Sequence, residues 1–318
     1  MDKVRVGVVG VGALGQHHAR VYASLPGAAL VGVADTLPGR AQTIADSLGI
    51  QAFADHRELF GKVEAISIAT PTTLHTRIGE EFLNEGVHVL VEKPISHLPE
   101  EADRLIRAAE RNHCVLQVGH LERFNPAVRS VQQVVRQPRF IESHRMGLFT
   151  PRSLDIDVVL DLMIHDLDII SLLVPSRPAN IQAVGIPILT KRIDIANARI
   201  QFEDGCVANV TASRVSMEKI RKLRLFHAQE YVSLDYTRQE VAIFGLRPSP
   251  GAEIPEIVSR RLTPERVEPL EEELKAFLLA SRGMGPVDCT GEEGKRALDL
   301  ALQILRQAEK SQSLAKSS

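Results

Sequence analysis

The chain has little cysteine, no long apolar run and almost no net charge. Its three cysteines, Cys114, Cys206 and Cys289, are odd in number and far apart. This spacing predicts neither a disulfide framework nor a metal-ligand pair, and it favours a reducing cytoplasm. No stretch approaches the roughly 20 apolar residues of a membrane span, and an N-terminus that leads directly into a strand pattern predicts no signal peptide. A net charge of −2 and a pI near 6.6 give no general field that would attract nucleic acid or anionic lipid.

Metal-binding patterns are also missing. The chain has no HExxH motif, and the adjacent His17 and His18 would point in different directions on a helix. We therefore predict no metal site. At 318 residues the chain is long enough for two domains with separate cores.

A glycine-rich turn follows the first predicted strand, residues 4–9. Glycines in the pattern GxGxxG allow a tight turn and a close approach of the backbone to a pyrophosphate. The amides and dipole of the predicted helix 16–25 would face that group. A second apolar run, residues 29–34, ends in a carboxylate that can accept hydrogen bonds from ribose hydroxyls. The predicted dinucleotide contacts are Gly10, Gly12, Ala13, Leu14, Gly15 and Asp35. The alternative is an ordinary glycine-rich turn with an unrelated acidic residue downstream.

Asp35 also indicates which dinucleotide is bound. Its carboxylate would repel the 2′-phosphate of NADP, and Thr36 adds no positive charge beside it. Arg40 is predicted to lie on the next helix. The sequence therefore favours NAD.

The first 121 residues alternate strand and helix patterns, as in a doubly wound parallel sheet of the Rossmann type. Strands are predicted at 65–69, 87–91 and 115–119, and helices at 38–48, 75–84 and 100–111. Ligands bind beyond the carboxyl ends of such strands. The residues predicted at those ends are Gly10, Asp35, Thr70, Lys93 and His120. Their convergence predicts a single site.

Residues 122–318 are predicted to form a second, α+β domain around a largely antiparallel sheet. A strand is expected at 139–146, followed by strand-like runs within 222–244 and a final helix at 291–310. Apolar and polar residues alternate on both sides of Asp204-Gly205, which predicts a hairpin. The exposed face of this sheet is a candidate subunit interface.

The predicted helix 157–173 carries an ionisable stripe on a largely apolar surface. Asp157, Asp161, His165 and Asp168 are spaced four, four and three apart, so they share one face. Because isolated buried charges are costly, the stripe must face a cavity or partners. Histidine suits proton transfer near neutral pH, so His165 is the candidate proton acceptor, with Asp161 supporting it. The alternative is an amphipathic helix whose polar stripe faces water.

Lys93 stands between an apolar strand and Pro94. The proline favours an extended backbone at the lysine, and packing gives little reason for a lysine there. An ammonium group at this position can stabilise the charge that develops on a substrate oxygen during hydride loss. The alternative is a surface lysine at a loop mouth.

The chain resembles the Gfo/Idh/MocA oxidoreductase family over nearly its whole length. The resemblance is carried by the glycine-rich turn, ATPTTLH at 69–75, EKP at 92–94 and DLMIH at 161–165. It implies that Lys93, Asp161 and His165 line the catalytic pocket, and that the protein forms a dimer or tetramer through the second sheet. From these motifs we also expect cofactor contacts from Thr70, Pro71, His75, Glu92 and Lys93.

A narrower resemblance concerns the substrate. GHLERFNP at 119–126, VVLDLMIHD at 158–166 and RVSMEKIR at 214–221 are similar to the branch that oxidises UDP-N-acetylglucosamine at C3. Such a substrate needs cations for its diphosphate, so the expected substrate contacts are Arg123, Asn125, Arg145 and Arg152, with the cluster 219–224 also available. For any single arginine the alternative is a place on the surface. Two other functions stay open: a dehydrogenase of a free sugar or polyol such as an inositol, and a dinucleotide-sensing regulator without chemistry.

Overall fold

The computed structural model describes residues 2–150, 156–228, 230–247 and 256–316. The chain divides into two compact units. The first comprises the chain up to Leu121 together with Glu268–Leu298, and the second comprises Glu122–Val267 and the chain from Asp299 onwards. The predicted division placed residues 268–298 in the second domain, whereas in the structure this segment packs with the first unit.

The elements follow one another in a regular order. In the first part of the chain they are β1 (Val4–Val9), α1 (Gly15–Ser24), β2 (Ala28–Ala34), α2 (Pro38–Leu48), β3 (Gln51–Phe53), β4 (Ala65–Ile68), α3 (His75–Asn84), β5 (His88–Glu92), α4 (Pro99–Arg111) and β6 (Leu116–Gly119). Then come α5 (Pro126–Val134), β7 (Phe140–Met146), a π-helical turn (Val159–Met163), α6 (Ile164–Leu173), β8 (Pro178–Ile186), β9 (Ile195–Phe202), β10 (Val207–Ser213), β11 (Ile220–Phe226), β12 (Glu230–Asp235), β13 (Glu240–Arg247), β14 (Glu256–Leu262), α7 (Pro269–Ser281) and α8 (Gly291–Lys316). The predicted helices and strands agree with these bounds to within three residues, except that α8 continues six residues beyond the predicted helix 291–310.

The first unit is built on a six-stranded sheet in the order β3-β2-β1-β4-β5-β6. All its strand pairs are parallel. The order reverses at β1, which lies between β2 and β4, and ligands of doubly wound sheets bind beyond the strand ends at such a reversal. The parallel Rossmann-type sheet predicted for this region is confirmed.

The second unit is built on an eight-stranded sheet in the order β14-β13-β12-β11-β7-β10-β9-β8. Only the β7–β10 pair is parallel, so the largely antiparallel prediction is confirmed. The predicted hairpin connects β9 and β10, with Gly205 at φ +87°. One face is buried, and the other face, which includes Phe244, is partly exposed.

The helix α7 explains why residues 268–298 return to the first unit. Its apolar side chains Leu274, Phe277 and Leu278 are buried in the same core as Val4 and Tyr22. The first unit therefore needs this late segment to complete its core. Among the described residues, no helix combines the length and apolar character needed to cross a membrane.

Candidate functional site

The glycine-rich turn lies between β1 and α1 and has the shape of a dinucleotide cradle. Gly10 has φ +83°, and a Cβ there would lie 2.8 Å from the Ala69 carbonyl oxygen. At Gly15 a Cβ would lie 1.8 Å from the Gly10 carbonyl oxygen, so both positions require glycine. At Gly12 the nearest atom to such a Cβ is Nη1 of Arg40, at 3.6 Å. The open space at Gly12, at the N-terminal end of α1, fits a pyrophosphate.

Asp35 lies at the end of β2 and is 8% exposed. Its Oδ2 accepts a hydrogen bond from the Val11 amide (3.0 Å), and its Oδ1 accepts one from the Leu37 amide (2.9 Å). Arg40 lies on α2 as predicted, and its Nη1 is 3.4 Å from Oδ2 of Asp35. The carboxylate is thus fixed beside the turn by two backbone amides and faces one cation.

His75 connects two loops of the first unit. Its Nε2 lies 2.9 Å from the Thr70 carbonyl oxygen, and its Nδ1 lies 3.0 Å from the Pro94 carbonyl oxygen. Burial lowers the pKa of His75, although both carbonyls oppose that effect, and a neutral imidazole can donate to only one of them at a time. Both ring nitrogens therefore face backbone oxygens of the loops that follow β4 and β5. Pro71, in the first of these loops, is exposed.

Glu92 is buried at the end of β5, directly before Lys93. Its Oε1 lies 2.9 Å from Nε2 of His18, and its Oε2 accepts a hydrogen bond from the Lys93 amide (3.2 Å). Burial tends to raise the pKa of Glu92, but His18 and Lys93 outweigh it and the pKa is lowered. A negative charge is thus held next to the half-buried Lys93. No local sequence pattern pointed to His18 as a partner of Glu92, because the two residues are 74 positions apart.

The segment that carries Asp161 and His165 begins as a π-helical turn and continues as α6. Such turns are rare and occur frequently at functional sites. Asp161 and His165 are both half-buried. Asp157 accepts a hydrogen bond from the Ile193 amide (2.9 Å), and Asp168 is fully buried. The alternative of a stripe that faces water is therefore wrong for Asp168.

Arg123 and Arg145, predicted to contact substrate, are both buried. Arg123 donates to both carboxylate oxygens of Asp168, at 2.8 and 2.7 Å. Arg145 donates to Asp166 at 2.6 and 3.2 Å and to Glu122 at 2.8 Å. Burial would lower the pKa of Arg145, but the two carboxylates raise it. Neither arginine lies on the surface, and both hold carboxylates of their own unit.

Asn125 has a structural role in the second unit. Its Oδ1 accepts a hydrogen bond from the Ala127 amide (3.1 Å) and caps α5, while its Nδ2 donates to the Tyr236 carbonyl oxygen (3.0 Å). Arg152, the remaining predicted substrate contact, lies outside the described residues.

The structure brings the predicted cofactor residues together in the first unit. The glycine-rich turn, Asp35, Thr70 and Lys93 follow β1, β2, β4 and β5, which are neighbours in one parallel sheet. Asp161 and His165 belong to the second unit.

Two family models match the chain. Residues 4–120 match the oxidoreductase family with an NAD-binding Rossmann fold, and residues 127–230 match the GFO/IDH/MocA C-terminal domain. The first match confirms the prediction of NAD as the cofactor.

Several of the curated relatives are dehydrogenases. The UDP-N-acetylglucosamine 3-dehydrogenase of Acidithiobacillus ferrooxidans is 40% identical over 96% of this chain and 97% of its own length. A scyllo-inositol 2-dehydrogenase (NAD(+)) of Bacillus subtilis is 30% identical over 67% of this chain and 68% of its own. A solved structure of the Acidithiobacillus ferrooxidans enzyme superposes with a TM-score of 0.91 at 38% identity, and the match covers 98% of this chain and 99% of that one.

Proposed function

The chain is an NAD-dependent oxidoreductase of the Gfo/Idh/MocA family, and on that premise we propose that it oxidises the C3 hydroxyl of UDP-N-acetylglucosamine to a ketone. The observation that carries the substrate assignment is the similarity, at 40% identity over 96% of the chain, to an enzyme of that name. The residues of the candidate site fit this chemistry.

The first unit holds the cofactor. Gly12 offers the space for the pyrophosphate, and Asp35 offers its carboxylate to the ribose hydroxyls. Bound NAD supplies the acceptor for the hydride that leaves C3. Thr70 and Pro71 lie in the loop after β4, where they would border the cofactor, and His75 fixes that loop against the loop of Pro94.

Lys93 polarises the substrate oxygen. As the C3–H bond breaks, negative charge grows on the C3 oxygen, and an ammonium group held beside it lowers the energy of that state. Glu92 keeps a negative charge next to Lys93.

His165 takes the proton of the C3 hydroxyl, so that hydride and proton leave from neighbouring atoms and a ketone remains. Asp161 positions His165 and stabilises its charged form. Both residues lie at the junction between the π-helical turn and α6.

A second candidate function is the oxidation of a free polyol. The similarity to a scyllo-inositol 2-dehydrogenase favours it, but at 30% identity over 67% of the chain that similarity is weaker. A dinucleotide-sensing regulator would not need Lys93, Asp161 and His165 together.

We also propose that a second copy of the chain covers the open face of the second sheet, in a dimer or tetramer. Four aromatic rings cross neighbouring strands of that face, with ring centroids 5.0 to 5.5 Å apart. They are Phe140, Phe226, Tyr231 and Phe244. Exposed apolar patches of this kind are typical of protein interfaces. A cytoplasmic location, expected from the cysteine usage, is part of the same proposal.

The direct test is a turnover assay with purified protein, NAD and UDP-N-acetylglucosamine, in which NADH absorbance is followed. A PLP aminotransferase with glutamate removes the ketone, because an unfavourable equilibrium would otherwise hide the reaction. The proposal predicts NADH formation with the nucleotide sugar and none with N-acetylglucosamine or scyllo-inositol. If scyllo-inositol is oxidised and the nucleotide sugar is not, the substrate is the polyol.

A further inference from the structure

Three buried ionisable side chains lie in the core of the first unit. They are His18 on α1, Glu92 at the end of β5 and Glu273 on α7, and each is at most 9% exposed. Glu92 follows Leu90 by two residues and so shares its face of β5, where Leu90 packs with apolar side chains such as Phe277. Because the burial of ionisable groups costs stability, such a cluster is a candidate for a functional role.

The carboxylate of Glu92 is held on three sides. Its Oε1 lies 2.9 Å from Nε2 of His18, and its Oε2 accepts the hydrogen bond of the Lys93 amide at 3.2 Å. On the third side it lies against Gly119 of β6, where a Cβ would be 3.1 Å from Cδ and 3.2 Å from Oε2 of Glu92. The position of this carboxylate therefore determines how the backbone of Lys93 is held.

Glu273 is a second acid in the same core. Both of its carboxyl oxygens are buried and have no hydrogen-bond donor among the described residues. Burial, with a smaller effect from the charge of Glu92, raises the pKa of Glu273 well above its usual range. At a pH between the pKa values of the two acids, the pair thus carries one negative charge, and that charge lies on Glu92.

His18 contributes most to keeping the charge on Glu92. Burial tends to raise the pKa of Glu92, but the hydrogen bond and charge of His18, followed by the charges of Lys93 and His75, lower it. His18 is thus the contact that both orients Oε1 and favours the ionised form of this carboxyl. An ionised carboxylate accepts hydrogen bonds with all of its lone pairs, as the contact with the Lys93 amide requires.

We propose that His18 is a positioning residue for Lys93 and acts through Glu92, an inference that rests on the proposed function. His18 keeps the Glu92 carboxylate at the Lys93 amide, so that the ammonium group of Lys93 meets the C3 oxygen of the substrate from a fixed backbone. Without the imidazole, Oε1 of Glu92 loses its partner, and the carboxyl turns away or takes up a proton. A displacement of about 1 Å at a catalytic group can cost a hundredfold in rate.

The kinetic test compares the wild type with His18→Leu and His18→Gln. Leu removes the contact with Glu92, whereas Gln keeps an N–H donor at about the same reach from the backbone. We expect His18→Leu to lower kcat by about ten- to a hundredfold, with little change in KM for NAD and for the nucleotide sugar, and His18→Gln to recover most of the loss. The matched control is His17→Leu, at the exposed neighbouring position of α1, which should retain the wild-type kcat.

A second measurement needs no substrate. In protein labelled with ¹⁵N-lysine, the backbone amide of Lys93 is assigned by its absence from the NMR spectrum of Lys93→Met, and its resonance follows the ionisation of the carboxylate that it contacts. We expect this resonance to shift at a higher pH in His18→Leu than in the wild type, because Glu92 loses the contact that lowers its pKa most. His17→Leu should titrate as the wild type does.

Equal kcat and equal titrations in His18→Leu and the wild type overturn the proposal. It is also overturned if only one of the two quantities changes, because the loss of rate is expected to come through Glu92. If His18→Leu does not bind NADH and has therefore not folded, Gly119→Ala replaces it. The added Cβ displaces the Glu92 carboxylate from the other side, and it should lower kcat and shift the Lys93 amide resonance.

The two proposals fail in different ways. A wild type that oxidises neither the nucleotide sugar nor scyllo-inositol contradicts the proposed function, and the NMR titration then decides alone whether His18 holds the charge on Glu92. A wild type that oxidises UDP-N-acetylglucosamine, with a His18→Leu variant of equal kcat, contradicts only the role of His18.

Discussion

The carboxylate of Asp35 accepts a hydrogen bond from the Val11 amide across 3.0 Å. The residue at the end of β2 that is proposed to bind the ribose therefore also fixes the glycine-rich turn after β1. If Asp35 binds the ribose as proposed, Arg40, 3.4 Å from the same carboxylate oxygen, is a cation within reach of the additional phosphate of NADP.

Replacement of Asp35 by Asn should shift the coenzyme preference toward NADP. Asn keeps an oxygen that can accept from a backbone amide, but it loses the charge that repels the 2′-phosphate, and Arg40 becomes available to that phosphate. We expect the ratio of kcat/KM for NAD to that for NADP to fall by roughly ten- to a hundredfold, about 1.4 to 2.8 kcal/mol. The double variant Asp35→Asn/Arg40→Gln should lose most of the gain with NADP. An unchanged ratio would show that Asp35 does not face the ribose.

His165→Asn should lower kcat by roughly 10²- to 10⁴-fold, the usual contribution of a general base, while KM for the nucleotide sugar changes little. Initial rates measured across pH add a second readout, because loss of the base removes the limb of the pH profile that reports its ionisation. His227→Asn, at the end of β11 in the same unit, is the matched control and should keep both kcat and the profile. A kcat within a few-fold of the wild type would exclude His165 as the base.

Arg123→Met should destabilise the protein by about 3–5 kcal/mol, because it leaves the buried carboxylate of Asp168 without its cation. The double variant Arg123→Met/Asp168→Leu removes both charges and should recover part of that loss. Urea unfolding followed by circular dichroism gives the comparison. A stable Arg123→Met protein with a strongly raised KM would instead return Arg123 to the substrate, as the sequence first suggested.

Glu273 should make the free energy of unfolding depend on pH. It lies on α7 and is fully buried. Its burial and, to a smaller extent, the charge of Glu92 raise its pKa well above 4.5. The folded protein then binds a proton that the unfolded chain releases, so stability falls as pH rises from the unfolded pKa to the folded one, by at most about 1.4 kcal/mol per pH unit. Glu273→Gln removes this dependence and should be the more stable protein near pH 8, whereas Glu271→Gln on the same helix should follow the wild type. Parallel pH dependences for Glu273→Gln and the wild type would mean that Glu273 is ionised in the folded state.

Local patterns predicted the first sheet well. The strands β1, β2, β4, β5 and β6 are short apolar runs, and the helices between them have clear starts and stops, such as Gly49 at φ +67° after α2. The packing of α7 with the first unit was not predictable in this way. Its apolar stripe shows that one face of the helix must be buried. Only the folded chain shows that this face packs against α1 and β1.

The edge strand β14 of the second sheet was not predicted, for a related reason. Most residues of β14 are exposed and several are charged, so no apolar alternation marks it as a strand. Pairing with β13 defines it instead.

The spacing of the site residues along the chain was predictable from the sequence, but the residues that they contact were not. The interval of four between Asp161 and His165 indicated a shared face, and the motif around Lys93 indicated a strand end. The partners of Arg123 and Glu92 lie 45 and 74 residues away, and no local pattern reports such distances. For that reason the sequence could not show that Arg123 and Arg145, which it predicts to contact the substrate, are buried beside carboxylates of their own unit.

The most direct test of the proposed reaction uses UDP-N-acetylglucosamine that carries deuterium at C3. The protein is incubated with this substrate, NAD and the aminotransferase trap, and the nicotinamide product is analysed by mass spectrometry. Hydride transfer from C3 predicts reduced cofactor that carries the deuterium. Reduced cofactor without deuterium, formed at the rate of turnover, would contradict oxidation at C3.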